Sequence, residues 1–352
     1  MVNQSQKPSI PHKIEHSSGR ETQSSAVDKI IGARVDTIKE ILFRSETILI
    51  ILIFFLMSIT GIISPRFVKS ANLIVLLKQS SYLVFPTLGQ AIVLLTGGFD
   101  LSIGPLVSLI SICSTMIMTS LNINPEAAIL MGFSVGLLVG LIIGLTNGVL
   151  VALFRVNPLI VTLATGSVAG GLALILSGGS PVFNLPDQLN SLFGSSEIVY
   201  IPVPAIIATI ITLIVYIFLT RTRQGKYLYA IGGNEEAARV AGIPTKFYLV
   251  IAYTMSAILA VIGGFLLTAR VNSGEPNLGG ALSLQCLAAA VLGGVSLKGG
   301  EGTALGAVLG AFFMILLGNA MDLLHVGTYS QMLALGLVLI GATVLDRIVH
   351  KE

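Results

Sequence analysis

Two places in this 352-residue chain hold side chains whose types and spacing could do chemistry. The first is Asp100, in the run Gly97-Gly98-Phe99-Asp100-Leu101-Ser102-Ile103-Gly104 between long apolar stretches. A charge at the centre of a bilayer costs on the order of 2.5 to 3.5 kcal/mol, so something must offset it. Two compatible accounts are open. In one, Gly97 and Gly98 end a helix and Asp100 or Ser102 caps the next, with Pro105 tolerated in its first turn. In the other, the broken helix lines a passage and Asp100 or Ser102 offers oxygens to passing hydroxyl groups. Irregular backbone at membrane depth is tolerated mainly beside protein or a wet cavity, which suits both accounts.

The second place is Arg221 to Tyr248, the one long polar island in the apolar second half. Asn234 is a natural N-cap, Glu235 and Glu236 sit in the positive first turn of a helix, Gly242 fits its C-terminal cap, and Pro244 stops continuation. A helix this brief is marginal alone in water. With Ala237, Val240 and Ala241 on one face at i, i+3, i+4, it needs a docking surface, and another protein would supply one.

No other cluster suggests catalysis. The sequence has no G-x-x-x-x-G-K-[ST] phosphate loop, no nucleophile elbow and no zinc-binding histidine pair, so this chain is expected to bind no cofactor and to hydrolyse no ATP itself. His12 and His16 are spaced like metal ligands but lack further ligands and read as tail residues, and no metal is expected. Cys113 and Cys286 lie in apolar segments and read as small packing residues.

The elements that must hold these two places are membrane helices. Hydrophobic residues make up 54% of the chain and charged ones 11%, with a mean hydropathy of +0.91, which is too little charge to cover a soluble protein of this size. The net charge of +3 is small and its basic residues gather near membrane ends, so it carries topology and implies no nucleic acid. Residues 1–45 form a cytoplasmic tail without the apolar core of a signal peptide, and Ile31, Val35, Ile38 and Leu42 give Asp28 to Arg44 the pattern of a helix lying on the membrane lipid.

The apolar body, residues 46–346, reads as all-α and polytopic with about ten spans: Ile48 to Ile63, Leu73 to Thr96, Ile103 to Leu121, Ala127 to Phe154, Leu159 to Ser177, Val203 to Thr220, Phe247 to Ala269, Gly280 to Leu292, Thr303 to Met321, and Tyr329 to Leu345. With the N-terminus inside, sixteen of the twenty Lys and Arg fall on the cytoplasmic side. Without the tail the split is nine against four, which decides the same way. The loop 221–246 and the last residues, 347–352, are then cytoplasmic.

The sequence also echoes itself. Gly293-Gly294-Val295-Ser296-Leu297-Lys298-Gly299-Gly300 shares the form G-G-x-[DS]-L-x-x-G with the run at Gly97, which predicts two glycine-broken helices and an internal repeat. Gly97, Gly98, Asp100, Ser102, Gly293, Gly294 and Ser296 are therefore candidates for a translocation path or hinge. Gly136, Gly140 and Gly144, like Gly306 and Gly310, are spaced for close helix packing, and Asn147, Asn157 and Asn319 read either as polar glue between helices or as amides facing a polar path. The longest external loop, Ser177 to Pro204, is expected to form a cap in which Asp187 and Glu197 either meet basic residues of a docking receptor or stay solvated.

Three runs together carry a family resemblance: GGNEEAARVAGI around Glu235, LTGGFDLSIG at Leu95 to Gly104, and AAAVLGGVSLKGGEG at Ala288 to Gly302. The chain resembles the membrane permease of a bacterial ATP-binding-cassette importer of the ribose, xylose and arabinose type, over about Ser64 to Asp346. The resemblance implies that Asn234, Glu235, Glu236, Ala237, Ala238 and Gly242 form a coupling helix seated in a cleft of a separate ATPase, which holds the ATP and Mg. It implies a periplasmic or lipid-anchored sugar-binding protein, a second permease chain, identical or a paralogue, and a place in the bacterial cytoplasmic membrane. Related permeases carry autoinducer-2-like sugars, and a more distant branch carries branched-chain amino acids. An ion-coupled carrier would need more intramembrane charge than Asp100 alone. With no Trp there is no evident stacking platform, so the particular sugar is not legible.

Overall fold

The computed structural model describes residues 45–349, so the expected surface helix at Asp28 to Arg44 and the last three residues lie outside the described residues. The chain forms helices α1 (Ser45–Ile63), α2 (Ser70–Leu95), α3 (Ile103–Ser120), α4 (Pro125–Ala152) and α5 (Pro158–Ser177). An outer segment then carries one turn at Asp187–Leu189 and a two-residue antiparallel hairpin, Glu197–Ile198 with Ile201–Pro202. Helices α6 (Val203–Arg221), α7 (Arg223–Gly233), α8 (Glu235–Val240), α9 (Thr245–Val271), α10 (Leu282–Leu292), α11 (Ala304–Leu323) and α12 (Thr328–Val349) follow. The last helix runs three residues past the expected boundary at 346.

Local chemistry starts and stops these helices. Asn124 caps α4 through Ala127 N–H at 3.0 Å, with Pro125 in the first position, and Asn157 caps α5 through Leu159 N–H at 2.9 Å, followed by Pro158. Gly178, at φ 61°, ends α5 in the left-handed conformation.

Every expected span falls on a helix, but the number ten is not confirmed as a count of crossings. Among the described residues, seven helices are long and apolar enough to cross a bilayer: α1, α3, α4, α5, α6, α9 and α11. Helix α2 is long but carries Lys78, Gln79, Ser80, Ser81, Thr87 and Gln90. Helix α10 starts at Leu282 and has 11 residues, about 16 Å against a hydrocarbon core of about 30 Å. The apolar part of α12 is Tyr329–Gly341.

The bundle is built around α2 and α9. All residues of α2 from Ser80 to Leu95 are buried, and α9 packs most extensively against α4 and α2. That approach depends on the α4 glycines. A Cβ on Gly140 would lie 2.3 Å from Val261, and one on Gly148 would lie 2.7 Å from Val250 Cα. At the periphery α1 turns large apolar side chains outward, with Phe54 74% and Ile62 82% exposed, as a lipid-facing helix does. Of the three amides expected as glue, Asn147 and Asn319 bond to other segments, whereas Asn157 caps its own helix. Asn72 of α2 and Asn319 of α11 exchange two hydrogen bonds of 3.0 Å.

Candidate functional site

The break between α2 and α3 is a closed polar network. Thr96 ends α2, Gly97 adopts φ 77°, and Gly98 N–H donates to Val93 O at 3.1 Å, so Gly97 is the left-handed glycine of a helix C-terminus. Asp100 is 1% exposed. Its Oδ1 accepts from the Ser102 N–H at 3.0 Å and from the Ser102 hydroxyl, and its Oδ2 accepts from Ser256 Oγ of α9 at 2.8 Å. Asn147 of α4 donates to Ser102 Oγ at 2.9 Å, and Thr165 of α5 donates to Asn147 Oδ1 at 2.6 Å. One buried chain of hydrogen bonds therefore ties α9, the break, α4 and α5 together.

The capping expectation needs correction. Ser102 occupies the N-cap position of α3 but makes no side-chain cap bond, because its hydroxyl is spent on Asp100. Ser283 of α10 acts instead: its Oγ accepts from Gly104 N–H and donates to Leu101 O, both at 2.9 Å. Asp100 and Ser102 are closed off, whereas Gly97 and Gly98 line the adjacent cleft.

The internal echo is present with a different register. Gly294, at φ 80°, ends α10 as Gly97 ends α2, with Val295 N–H donating to Ala290 O at 3.0 Å. The structural partner of Gly97 is therefore Gly294, one residue on from the Gly293 that the letters align. Gly293 instead sits against α11, where a Cβ would meet Gly306 O at 2.3 Å. Ser296, 2% exposed, accepts from Lys298 N–H at 3.2 Å, the same bond to the N–H two residues on that Asp100 makes with Ser102, but among the described residues it has no partner like Ser256.

The polar island is two helices, not one. Thr222 Oγ1 accepts from Gly225 N–H at 3.1 Å and starts α7, which the sequence did not announce. Asn234 caps α8 through Ala237 N–H at 2.9 Å, and Gly242, at φ 82°, ends it with Ile243 N–H bonded to Ala238 O at 3.0 Å. Ala237, Val240 and Ala241 face outward, and Val240 is 81% exposed. Ala238 does not share that face: it is buried in the chain's own core, because the cap and the turn at Gly242 rotate it toward α7 and α9. The expectation that Ala238 touches a partner directly is thereby corrected.

Helix α8 is fastened to α9. Thr245 Oγ1 donates to Glu235 Oε1 at 3.2 Å, and Tyr227 of α7 meets Tyr248 of α9 edge to face with centroids 5.2 Å apart. Glu236 pairs with Arg239 in the open, and that hydrogen bond and charge push the already high Arg239 pKa further up. Tyr229 donates to Gly302 O at 2.9 Å, and burial raises its phenol pKa.

The two places meet through three glycine runs. Gly300 N–H donates to Leu95 O at 3.0 Å, and a Cβ on Gly232 would lie 1.9 Å from that same oxygen. Gly299 joins the same junction, its added Cβ falling 2.7 Å from Gly97 N and 3.0 Å from Gly232 Cα. Beside this junction opens a polar cleft of about 390 Å³ bounded by Thr96, Gly97, Gly98, Arg155, Asn157, Glu235, Glu236, Arg239 and Tyr253. Gly97 and Gly232, far apart in the sequence, thus meet at one end of the bundle.

At the other end the loop after α5 is ordered. Val182 pairs with Gly274, Asn190 donates to Ala269 O at 2.9 Å, and Glu197 bonds Lys78 at 3.0 Å. Glu197 is therefore engaged within the chain, while Asp187 heads the single turn before Asn190.

Sequence reasoning missed Ser256, Ser283, Thr165 and Gly232. A serine within an apolar helix has no periodic signature, and Gly-Gly doublets recur where nothing is near, as at Gly178 and Gly179.

Compared with known proteins, residues 72–343 match the family described as branched-chain amino acid transport system, permease component. The ribose import permease protein of Bacillus subtilis (strain 168) is 36% identical over 296 residues, covering 84% of this chain and 90% of that protein. The D-allose transport system permease protein of Escherichia coli (strain K12) is 32% identical over 84% of this chain and 90% of its own length. The L-arabinose transport system permease protein of the same strain is 36% identical over 75% and 78%. No solved structure matches the chain.

Proposed function

The chain belongs to this family of importer permease components, and from that premise we propose that it carries a monosaccharide, ribose-like or a related simple sugar, into the cytoplasm. The observation that carries the reading is the Asn234-capped helix α8, which presents Ala237, Val240 and Ala241 outward while fastened to α9. A short capped helix with an uncovered small-residue face is suited to seat in a partner. The partner is a separate ATPase carrying ATP and Mg.

The mechanism follows α9. Thr245 holds α8 at its start, and Ser256, eleven residues and about 16 Å along the helix, holds Asp100. A tilt imposed on α8 by closure of the ATPase moves α9 as a rod and shifts Ser256 against the break. The passage between two permease chains, identical or paralogous, then opens alternately to a periplasmic or lipid-anchored binding protein and to the cytoplasm. We place the protein in the bacterial cytoplasmic membrane with ten crossing segments and both termini inside.

A branched-chain amino acid cargo is the second reading, favoured only by the wording of the family description. The sugar reading is preferred because the relatives named above are sugar permeases. The test is uptake of labelled D-ribose, D-allose, L-arabinose and L-leucine by vesicles holding the permease, its ATPase and its binding protein. ATP-dependent uptake of one sugar is expected, while uptake of leucine alone, or of nothing, would overturn the reading.

A further inference from the structure

We infer that the cavity bounded by Gln79, Tyr82, Arg270, Asn277 and Gln285 is a binding site for a neutral polyhydroxylated ligand on the side of the permease away from α8. It rests on the proposed sugar transport and deepens it by naming residues that hold the cargo.

The cavity measures about 400 Å³ and lies where α2, the end of α9 and the start of α10 converge. That volume is within the range of small-molecule sites, about 300 to 1,000 Å³. Its polar side chains are unspent. Among the described residues the amides of Gln79, Asn277 and Gln285 make no side-chain hydrogen bond, and the Arg270 guanidinium has no carboxylate partner. The Asn72–Asn319 couple and the Asp100 network spend their polar groups on one another, whereas the cavity brings three amides and a guanidinium together with hydrogen-bonding capacity left for a ligand.

Arg270 lies over the Tyr82 ring, 5.6 Å from its centroid, which fixes the guanidinium without neutralising it. Tyr82 is 4% exposed and its hydroxyl is shut off without a partner. Amides that both donate and accept, a fixed planar donor and an aromatic wall together match a sugar's ring of hydroxyls. No acid lines the cavity, so nothing there selects a cation.

Position supports the assignment. Gln79 lies sixteen residues before Leu95 on α2, about 24 Å from the glycine junction, and Arg270 sits at the far end of the same α9 whose start holds α8. Pro86 lies one turn beyond Tyr82 and supplies no N–H to its carbonyl, so the α2 backbone is unpinned just where the cavity wall would have to move.

The test compares wild type with Asn277→Ala and Gln285→Ala in vesicles with ATPase and binding protein, using labelled D-ribose, D-allose and L-arabinose. Asn277 is exposed and its substitution leaves folding intact, which guards against a merely structural loss at Gln285. We expect each variant to lower uptake of the transported sugar about tenfold, as loss of a site hydrogen bond does, with ATPase co-purification and receptor-stimulated ATP hydrolysis within about twofold of wild type. Uptake at the wild-type rate in both variants overturns the site while leaving the sugar reading intact. Loss of co-purified ATPase together with uptake also overturns it, by making the residues structural. Failure of wild type to transport any of the three sugars instead overturns the underlying reading.

Discussion

Ser256 of α9 donates a 2.8 Å hydrogen bond to the Asp100 carboxylate, so the helix that starts at the cytoplasmic loop is bonded directly to the break between α2 and α3. Asp100 accepts three hydrogen bonds in all, two of them from Ser102. Asp100→Asn keeps one acceptor oxygen and is expected to retain the fold and most transport. Asp100→Leu strands three donors at about 1 to 3 kcal/mol each and is expected to abolish both. Detergent-solubilised melting and uptake, measured for both variants, check this; a folded but inactive Asn variant would mean that the charge itself serves transport.

Ser283 caps α3 from another helix. Ser283→Ala leaves the Gly104 N–H and the Leu101 carbonyl without a partner, and we expect a loss of about 1 to 3 kcal/mol, seen as a lower melting temperature. Ser102→Ala also loses the bonds to Asp100 and Asn147, so a double substitution measures how far the two sites couple. Strict additivity would separate the cap from the network.

The glycine junction supplies a matched pair. Gly232→Ala puts a methyl 1.9 Å from Leu95 O, whereas Gly233→Ala meets nothing within 4 Å. We expect the first to cost about 1 to 3 kcal/mol and to impair uptake, and the second to behave as wild type. Equal melting temperatures for the two variants would refute the close approach of α7 to the end of α2.

On α8 the exposed and buried faces should separate function from folding. Val240→Asp leaves the bundle intact and is expected to reduce ATPase co-purification and uptake. Ala238→Glu drives a carboxylate into the core and is expected to lower expression and melting first. Asn234→Ala should cost about 1 kcal/mol of local stability, read by faster hydrogen exchange at Ala237. A well-folded Ala238→Glu protein would contradict the burial.

Topology is checked by labelling. In a background lacking Cys113 and Cys286, Ser191→Cys is expected to react with an impermeant thiol reagent in intact cells, and Asn234→Cys only once the inner face is opened. Labelling of both from outside would reverse or break the proposed orientation.

The sequence by itself determined the solvent and the local punctuation. Long apolar runs with few charges can be satisfied only by helices in lipid, and Asn234, Gly242 and Gly97 act within a few residues of themselves, so their caps and turns were legible. Three runs of letters were enough to point to the family. Tertiary structure alone decided which way Ala238 turns, that Ser283 rather than Ser102 caps α3, and that Gly294 rather than Gly293 matches Gly97. It also brought Gln79, Arg270 and Gln285 around one cavity. Each of these depends on a contact between segments far apart in the chain, and the choice among such contacts is made by packing in three dimensions, on which a periodic pattern of apolar letters places no constraint.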